Sequence, residues 1–206
     1  MAIIEGVCNP KLEDVAVDLG EIELDVYLDD GLLKEIPIIK SVIACRKTWE
    51  AIHDRLFLRK VIAFMSSCPK FTETEIQTFV TDHWRGESAT RLGNTLVLLL
   101  DRLDDLDKPT MLAKVFAAFV TKHINYDAFR RLSSGIDFSS IQDLGELVSG
   151  NVGSAEFAEP YPHGLVRSGF AELHVKNVTF GGGGETEAKI SKLGELFRRC
   201  NVNNWD

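Results

Sequence analysis

The sequence predicts a mainly α-helical protein, in which an antiparallel helical bundle precedes a small C-terminal β-hairpin and a terminal helix. Two observations lead to this prediction. Apolar residues recur at helical spacing through several segments between residues 36 and 150, and the connections between these segments are short. Beyond a segment rich in Gly, Pro, Ser and Asn, two short segments flank four consecutive glycines, which is a hairpin pattern.

The first half of the bundle contains three predicted helices. The segment Ile36–Cys68 has Pro37 in its first turn, where the missing N–H costs nothing. Thr72 and Glu75 have the spacing of a capping box for the second helix. The third helix is predicted over Thr90–Leu106.

The second half of the bundle begins at a turn rich in aspartate. Asp107 is the predicted N-cap of a fourth helix, with Pro109 in its first turn. Asn125 is the predicted N-cap of a fifth helix, and Phe138–Gly150 adds a further one. The predicted domain boundaries give an acidic N-terminal segment (1–35), the bundle (36–150), a linker or long loop (151–164) and the hairpin with its helix (165–206).

The charge is concentrated at one end of the chain. Residues 1–35 hold ten acidic and two basic residues, so they account for the whole net charge of −8. This segment is predicted to be a solvated edge or an arm that covers a basic face on a partner or on the protein itself. Its stretch Leu12–Leu28 fits a half-buried strand and a helix nearly equally well.

Cysteine usage and hydropathy predict a cytosolic protein. The chain contains no apolar run of the roughly 18–20 residues that a membrane-spanning helix needs, and its first residues lack the pattern of a signal peptide. The four cysteines are scattered, without a pair or histidine at metal-ligand spacing. We therefore expect free thiols, no metal and no cofactor.

The glycine run Gly181–Gly184 raises the question of a phosphate-binding loop. Such a loop needs a helix N-terminus facing the anion, but here Glu185 and Glu187 follow the glycines and the next helix begins only near Ser191. The two carboxylates would repel a phosphate. The pattern favours the tip of a hairpin between strands near Ala171–Phe180 and Glu185–Ile190.

The segments Leu165–Phe170 and Ser191–Phe197, placed on either side of the hairpin, resemble the end of winged-helix domains. The resemblance implies a wing and allows duplex DNA binding, for which Arg167, Lys176 and Lys189 are the candidate residues. A DNA reader needs several basic residues on one face, and this region has few. Packing or protein contact is the favoured use of the wing.

The segments Ile36–Met65 and Leu98–Leu132, together with the glycines and Ile190–Phe197, also resemble a bacterial family of helical proteins related to abortive-infection alpha-type proteins. That resemblance implies an accessory or effector protein in phage defence or a mobile element. It implies no catalytic residues.

Candidate chemical sites elsewhere are few. Asp101, Asp104, Asp105 and Asp107 could share a helix face and a turn, but no Glu-x-x-His pair accompanies them as in helical-bundle metal sites, so the pattern favours solvated and capping carboxylates. The nucleophile motif G-x-S-x-G and the zinc motif H-E-x-x-H are both absent.

The predicted function is therefore a non-enzymatic one, through contacts with a partner protein or a second copy in a homodimer. Three alternatives remain open: a winged-helix DNA-binding regulator, a membrane-surface effector that uses Ile36–Lys60, and a hydrolase whose catalytic residues assemble from distant positions in the chain. Arg55, Arg59 and Lys60 form a candidate basic contact surface for a nucleic acid, an acidic lipid surface or the acidic arm.

Overall fold

The computed structural model describes residues 52–83, 87–150, 163–178 and 184–202. These ranges contain eight helices and two strands: α1 Ile52–Ser67, α2 Glu73–His83, α3 Glu87–Arg102, α4 Lys108–Val120, α5 Tyr126–Phe138, α6 Ile141–Ser149, α7 His163–Arg167, β1 Ala171–Val178, β2 Gly184–Ile190 and α8 Lys192–Val202. The prediction of a mainly helical chain with a small hairpin and a terminal helix is confirmed. None of the described helices has the length and apolar composition needed to cross a membrane.

Two of the predicted helix starts are confirmed by their caps. The backbone N–H of Thr72 donates to Glu75 Oε2 (2.7 Å), and the N–H of Glu75 donates to Thr72 Oγ1 (3.3 Å), which is the reciprocal pattern of a capping box. Asn125 Oδ1 accepts a hydrogen bond of 2.9 Å from the N–H of Ala128 at the start of α5. Pro37 and the rest of the first predicted helix before Ile52 lie outside the described residues.

Two predictions for the turn between α3 and α4 are wrong. α3 ends at Arg102, four residues before the predicted end at Leu106. Asp107 precedes α4, and Pro109 does lie in the first turn, but the Asp107 side chain makes no capping hydrogen bond because its backbone is already helical. Instead, Asp105 Oδ1 accepts from the Asp107 N–H (2.7 Å), so the carboxylate two residues earlier stabilises the turn.

The chain divides into two compact units, residues 1–101 and 102–206. The described part of the first unit contains α1, α2 and most of α3. Its buried apolar side chains are Leu58, Val61, Phe64, Met65, Phe79, Leu92, Leu96 and Leu100. The predicted boundaries after residues 35, 150 and 164 stay predictions.

The second unit is built around α4, whose side chains are almost all buried. Phe129 of α5 stacks on Phe119 of α4, with ring centroids 5.2 Å apart, and meets Phe116 edge-on at 6.1 Å. Offset and edge-on aromatic pairs add to the free energy gained by burial. α8 packs against α4, α5 and α6, so it contributes to the core of this unit.

The hairpin is antiparallel, as predicted, and Gly184 is the first residue of β2, opposite Val178. Gly181–Gly183 lie outside the described residues. Ser191 joins the sheet to α8: its N–H donates to the Phe170 carbonyl (3.0 Å), and its Oγ accepts from the Gly194 N–H (3.1 Å) as an N-cap.

Candidate functional site

An exposed aromatic ring lies at the end of α5. The buried stripe of this helix contains Phe129, Leu132 and Ile136, each with no exposed surface. Phe138 follows Ile136 by two residues, so it points away from that stripe, and 46% of its surface is exposed. An aromatic side chain that is out of phase with the core is a candidate contact residue.

Two guanidinium groups lie over the ring of Phe138. The Cζ atom of Arg102 is 5.9 Å from the ring centroid, and the Cζ atom of Arg167 is 5.5 Å from it. Both distances are within the range of cation–π attraction, which contributes about 0.5–1 kcal/mol at exposed sites. The three residues are the last residues of α3, α5 and α7. We call Arg102, Phe138 and Arg167 the Arg–Phe–Arg clamp.

Arg102 is fixed in this position by an ion pair. Its Nη2 atom lies 2.5 Å from Asp137 Oδ2, and the Asp137 side chain is only 10% exposed. The neighbouring carbonyls of the α5 C-terminus add a partial negative charge that favours a cation there. The clamp arginine is therefore held by a nearly buried carboxylate rather than by an exposed one.

A buried lysine supports the same helix end. Lys108 is 1% exposed, and its Nζ atom lies 2.5 Å from Asp104 Oδ1 and 3.4 Å from the carbonyl oxygen of Asp137. A buried cation needs such a partner because an unpaired one carries a large desolvation cost. Asp104 and Asp137 thus provide carboxylate partners for Lys108 and Arg102.

Arg167 is the third basic residue at the end of α5, after Arg102 and Lys108. The side chain is exposed, and the described residues provide it with the ring of Phe138 but with no carboxylate. Of the three predicted DNA-contact residues, Arg167 is the one that lies in the clamp.

The other two predicted DNA-contact residues lie on the hairpin. Lys189 is exposed on β2 and stands opposite Glu172 in the strand register. Lys176 has no register partner because it is the extra residue of a β-bulge between Val175 and Asn177, and its side chain lies outside the described residues. The structure describes the side chain of Lys189 on the sheet but not that of Lys176, so Arg167 is the one of the three candidates that it places at the Phe138 ring.

The candidate basic surface of α1 is described in part. Arg59 is exposed, whereas Lys60 is half-buried and its Nζ atom donates to the carbonyl oxygen of Asp101 (2.8 Å) at the end of α3. The side chain of Arg55 lies outside the described residues. Lys60 therefore has a role in completing the C-terminus of α3.

Metal and thiol chemistry gain no support in the parts of the chain that the structure describes. Within those ranges no group of three or more His, Cys, Asp or Glu residues is placed to hold a metal ion. Cys68 and Cys200 are free thiols, and desolvation raises the pKa of both to about 12. Thiols with so high a pKa stay protonated at neutral pH and are poor nucleophiles.

Known proteins offer no guide to the clamp. Comparisons with protein-family models, with curated proteins and with solved structures found no match. The role of the clamp is therefore inferred from its geometry and charge.

The sequence predicted Arg167 as a contact residue, but it did not predict the rest of the clamp. Phe138 left a signal, because it breaks the phase of the α5 stripe formed by Phe129 and Ile136. Arg102 left none, since its distance in sequence from Asp137 gives no local pattern that would pair them.

Proposed function

We propose that this chain is a non-enzymatic component that acts by binding a protein, through a surface centred on the Arg–Phe–Arg clamp. The observation that carries the proposal is the exposed ring of Phe138 with two guanidinium groups over it. Aromatic residues and arginine are the side chains most enriched at the energetic centres of protein interfaces. The clamp presents both kinds at one point.

Charge disfavours duplex DNA as the partner. Residues 102–206 hold 12 Lys and Arg against 14 Asp and Glu, a net charge of −2, whereas a DNA-binding domain is typically basic. On the hairpin, Lys189 stands opposite Glu172 and His174 opposite Glu187. A wing in which carboxylates alternate with the basic positions would be repelled by phosphates.

Site-specific cross-linking tests the proposal. The photoreactive residue p-benzoylphenylalanine would replace Phe138 in the full chain, and Leu173 in a control, since Leu173 is exposed to a similar extent (52%) on β1. We expect irradiation in the native host to join residue 138, but not residue 173, to one discrete protein. A product at twice the mass of the chain would make that protein a second copy.

Light scattering with duplex DNA provides the contrary outcome. The proposal would fail if residue 138 gave no protein product while duplex DNA raised the mass of the chain, with the increase fading between about 50 and 200 mM salt as phosphate contacts do. That result would favour the winged-helix regulator instead. The membrane-surface alternative depends on Ile36–Lys60, most of which lies outside the described residues.

The proposed setting is bacterial antiviral defence or a mobile element, and it rests on the resemblance to abortive-infection alpha-type proteins. We expect cells that carry the gene to lower the plating efficiency of a susceptible phage, relative to cells that carry Phe138→Ala. Leu173→Ala is the matched control and should protect like the wild type. Equal plating on all strains across a broad phage panel would contradict the setting, but not the protein contact.

A further inference from the structure

We infer that the Arg–Phe–Arg clamp recognises an acidic segment of its partner protein, in which a carboxylate lies beside an apolar side chain. The inference rests on the proposed function and names the chemistry of the partner. It follows from the charge that the clamp leaves unbalanced, from the surface of the ring that remains exposed, and from the way in which Arg102 is held.

The clamp leaves one positive charge unbalanced. Asp137 balances Arg102, at 2.5 Å, and Asp104 balances Lys108, also at 2.5 Å. Arg167 has no carboxylate among the described residues, although it is exposed and lies beside the ring. A carboxylate is the group that a guanidinium binds best, because its two oxygens match the two parallel N–H donors.

The ring of Phe138 is only partly covered. Phe138 is about half exposed, yet a guanidinium carbon lies over it at 5.5 Å and another at 5.9 Å. A nucleobase stacks on an open ring face, and two guanidinium groups already lie over this ring, whereas an aliphatic side chain can pack against the part of the ring surface that stays exposed. The geometry therefore favours a peptide over a single-stranded nucleic acid.

Two of the three clamp side chains are preorganised. Arg102 is already fixed by a nearly buried carboxylate, and Phe138 is fixed at the end of α5 just before the buried Ser139. A partner would lose little free energy in ordering these side chains, because ordering costs are avoided when the site is formed in advance. Arg167 is the more loosely held of the two arginines, and it binds the carboxylate of the partner.

Fluorescence anisotropy with defined peptides tests the inference on the full chain. The probe is a short labelled peptide in which Glu alternates with Leu. One control peptide has Gln in place of every Glu, and another has Ser in place of every Leu. Single-stranded oligothymidine, labelled in the same way, represents the nucleic-acid alternative.

We expect the Glu–Leu peptide to bind more tightly than both control peptides and than oligothymidine. Arg167→Gln and Phe138→Ala should each weaken its binding by roughly tenfold, the loss typical of a central interface residue. Arg131→Gln is the matched control, because Arg131 is an exposed arginine on α5 that already pairs with Asp127, and it should change the affinity by less than about twofold.

Two results would overturn the inference. One is equal binding of the Glu–Leu and Gln–Leu peptides, or the same affinity for the Glu–Leu peptide in Arg167→Gln as in the wild type. Either result would mean that the clamp does not recognise a carboxylate. The other is tight oligothymidine binding that Phe138→Ala abolishes. Cross-linking at residue 138 still decides the proposed function by itself, so the two failures are distinguishable.

Discussion

Gly194→Ala is expected to destabilise the unit of residues 102–206 by about 2–3 kcal/mol, the upper range for overpacking a core. A Cβ atom at Gly194 would clash with the carbonyl oxygen of Phe170, and it would lie 3.0 Å from Ile190 Cγ2. The carbonyl cannot move aside, because it accepts the hydrogen bond from Ser191 that joins the sheet to α8. The usual gain of about 1 kcal/mol from alanine in a helix is smaller than this cost.

Gly145→Ala provides the matched control. Gly145 is also within a helix, but it is exposed and a Cβ atom there would meet nothing within 4 Å. We expect a stabilisation of about 0.5–1 kcal/mol, from helix propensity alone. The free energy of unfolding of the full chain is measured in urea, with the hydrogen exchange of the α8 amides as the probe. An equal, favourable effect of both substitutions would contradict the close approach between α8 and Phe170.

The features that the sequence predicted correctly depend on residues near one another in the chain. The capping box of Thr72 and Glu75 spans one helical turn, and the Asn125 cap reaches only Ala128. The hairpin likewise depends on a glycine run between two short strands. In each case the interaction is complete within a few residues, so that a sequence pattern is enough to predict it.

The features that the sequence did not predict depend on contacts between distant residues. α3 was expected to continue to Leu106, but the structure buries Leu103 and turns the chain there. Lys108 would ordinarily be expected at the surface, yet it is buried because it reaches Asp104 and the carbonyl of Asp137. The helix pattern contains no information about either tertiary contact.

The clamp shows the same division between local and distant information. The position of Phe138 off the apolar stripe of α5 is a local property, and it was available in the sequence. The convergence of Arg102 and Arg167 on its ring requires three helices to end at one place, which only the tertiary structure provides. A site formed by helix ends leaves no spacing motif.

Phe129→Ala and Phe138→Ala are expected to separate stability from binding on a single helix. Phe129 is fully buried, and its ring packs against Phe119, Phe116 and Tyr126, so its loss should cost about 3–5 kcal/mol. Phe138 is 46% exposed and loses mainly two cation–π contacts, so its loss should cost about 1–2 kcal/mol.

The urea midpoint of unfolding is measured with the hydrogen exchange of the α5 amides as the probe. The affinity for the peptide is measured by fluorescence anisotropy on the same samples. Phe129→Ala should lower the urea midpoint strongly, yet the fraction that stays folded should still bind the Glu–Leu peptide. Phe138→Ala should lower the midpoint by less than half as much as Phe129→Ala does, while its affinity for the peptide falls by roughly tenfold. If Phe138→Ala instead lowered the midpoint as much as Phe129→Ala, the ring would be a core residue. The weaker binding would then report unfolding, and the exposed ring could no longer support a contact surface.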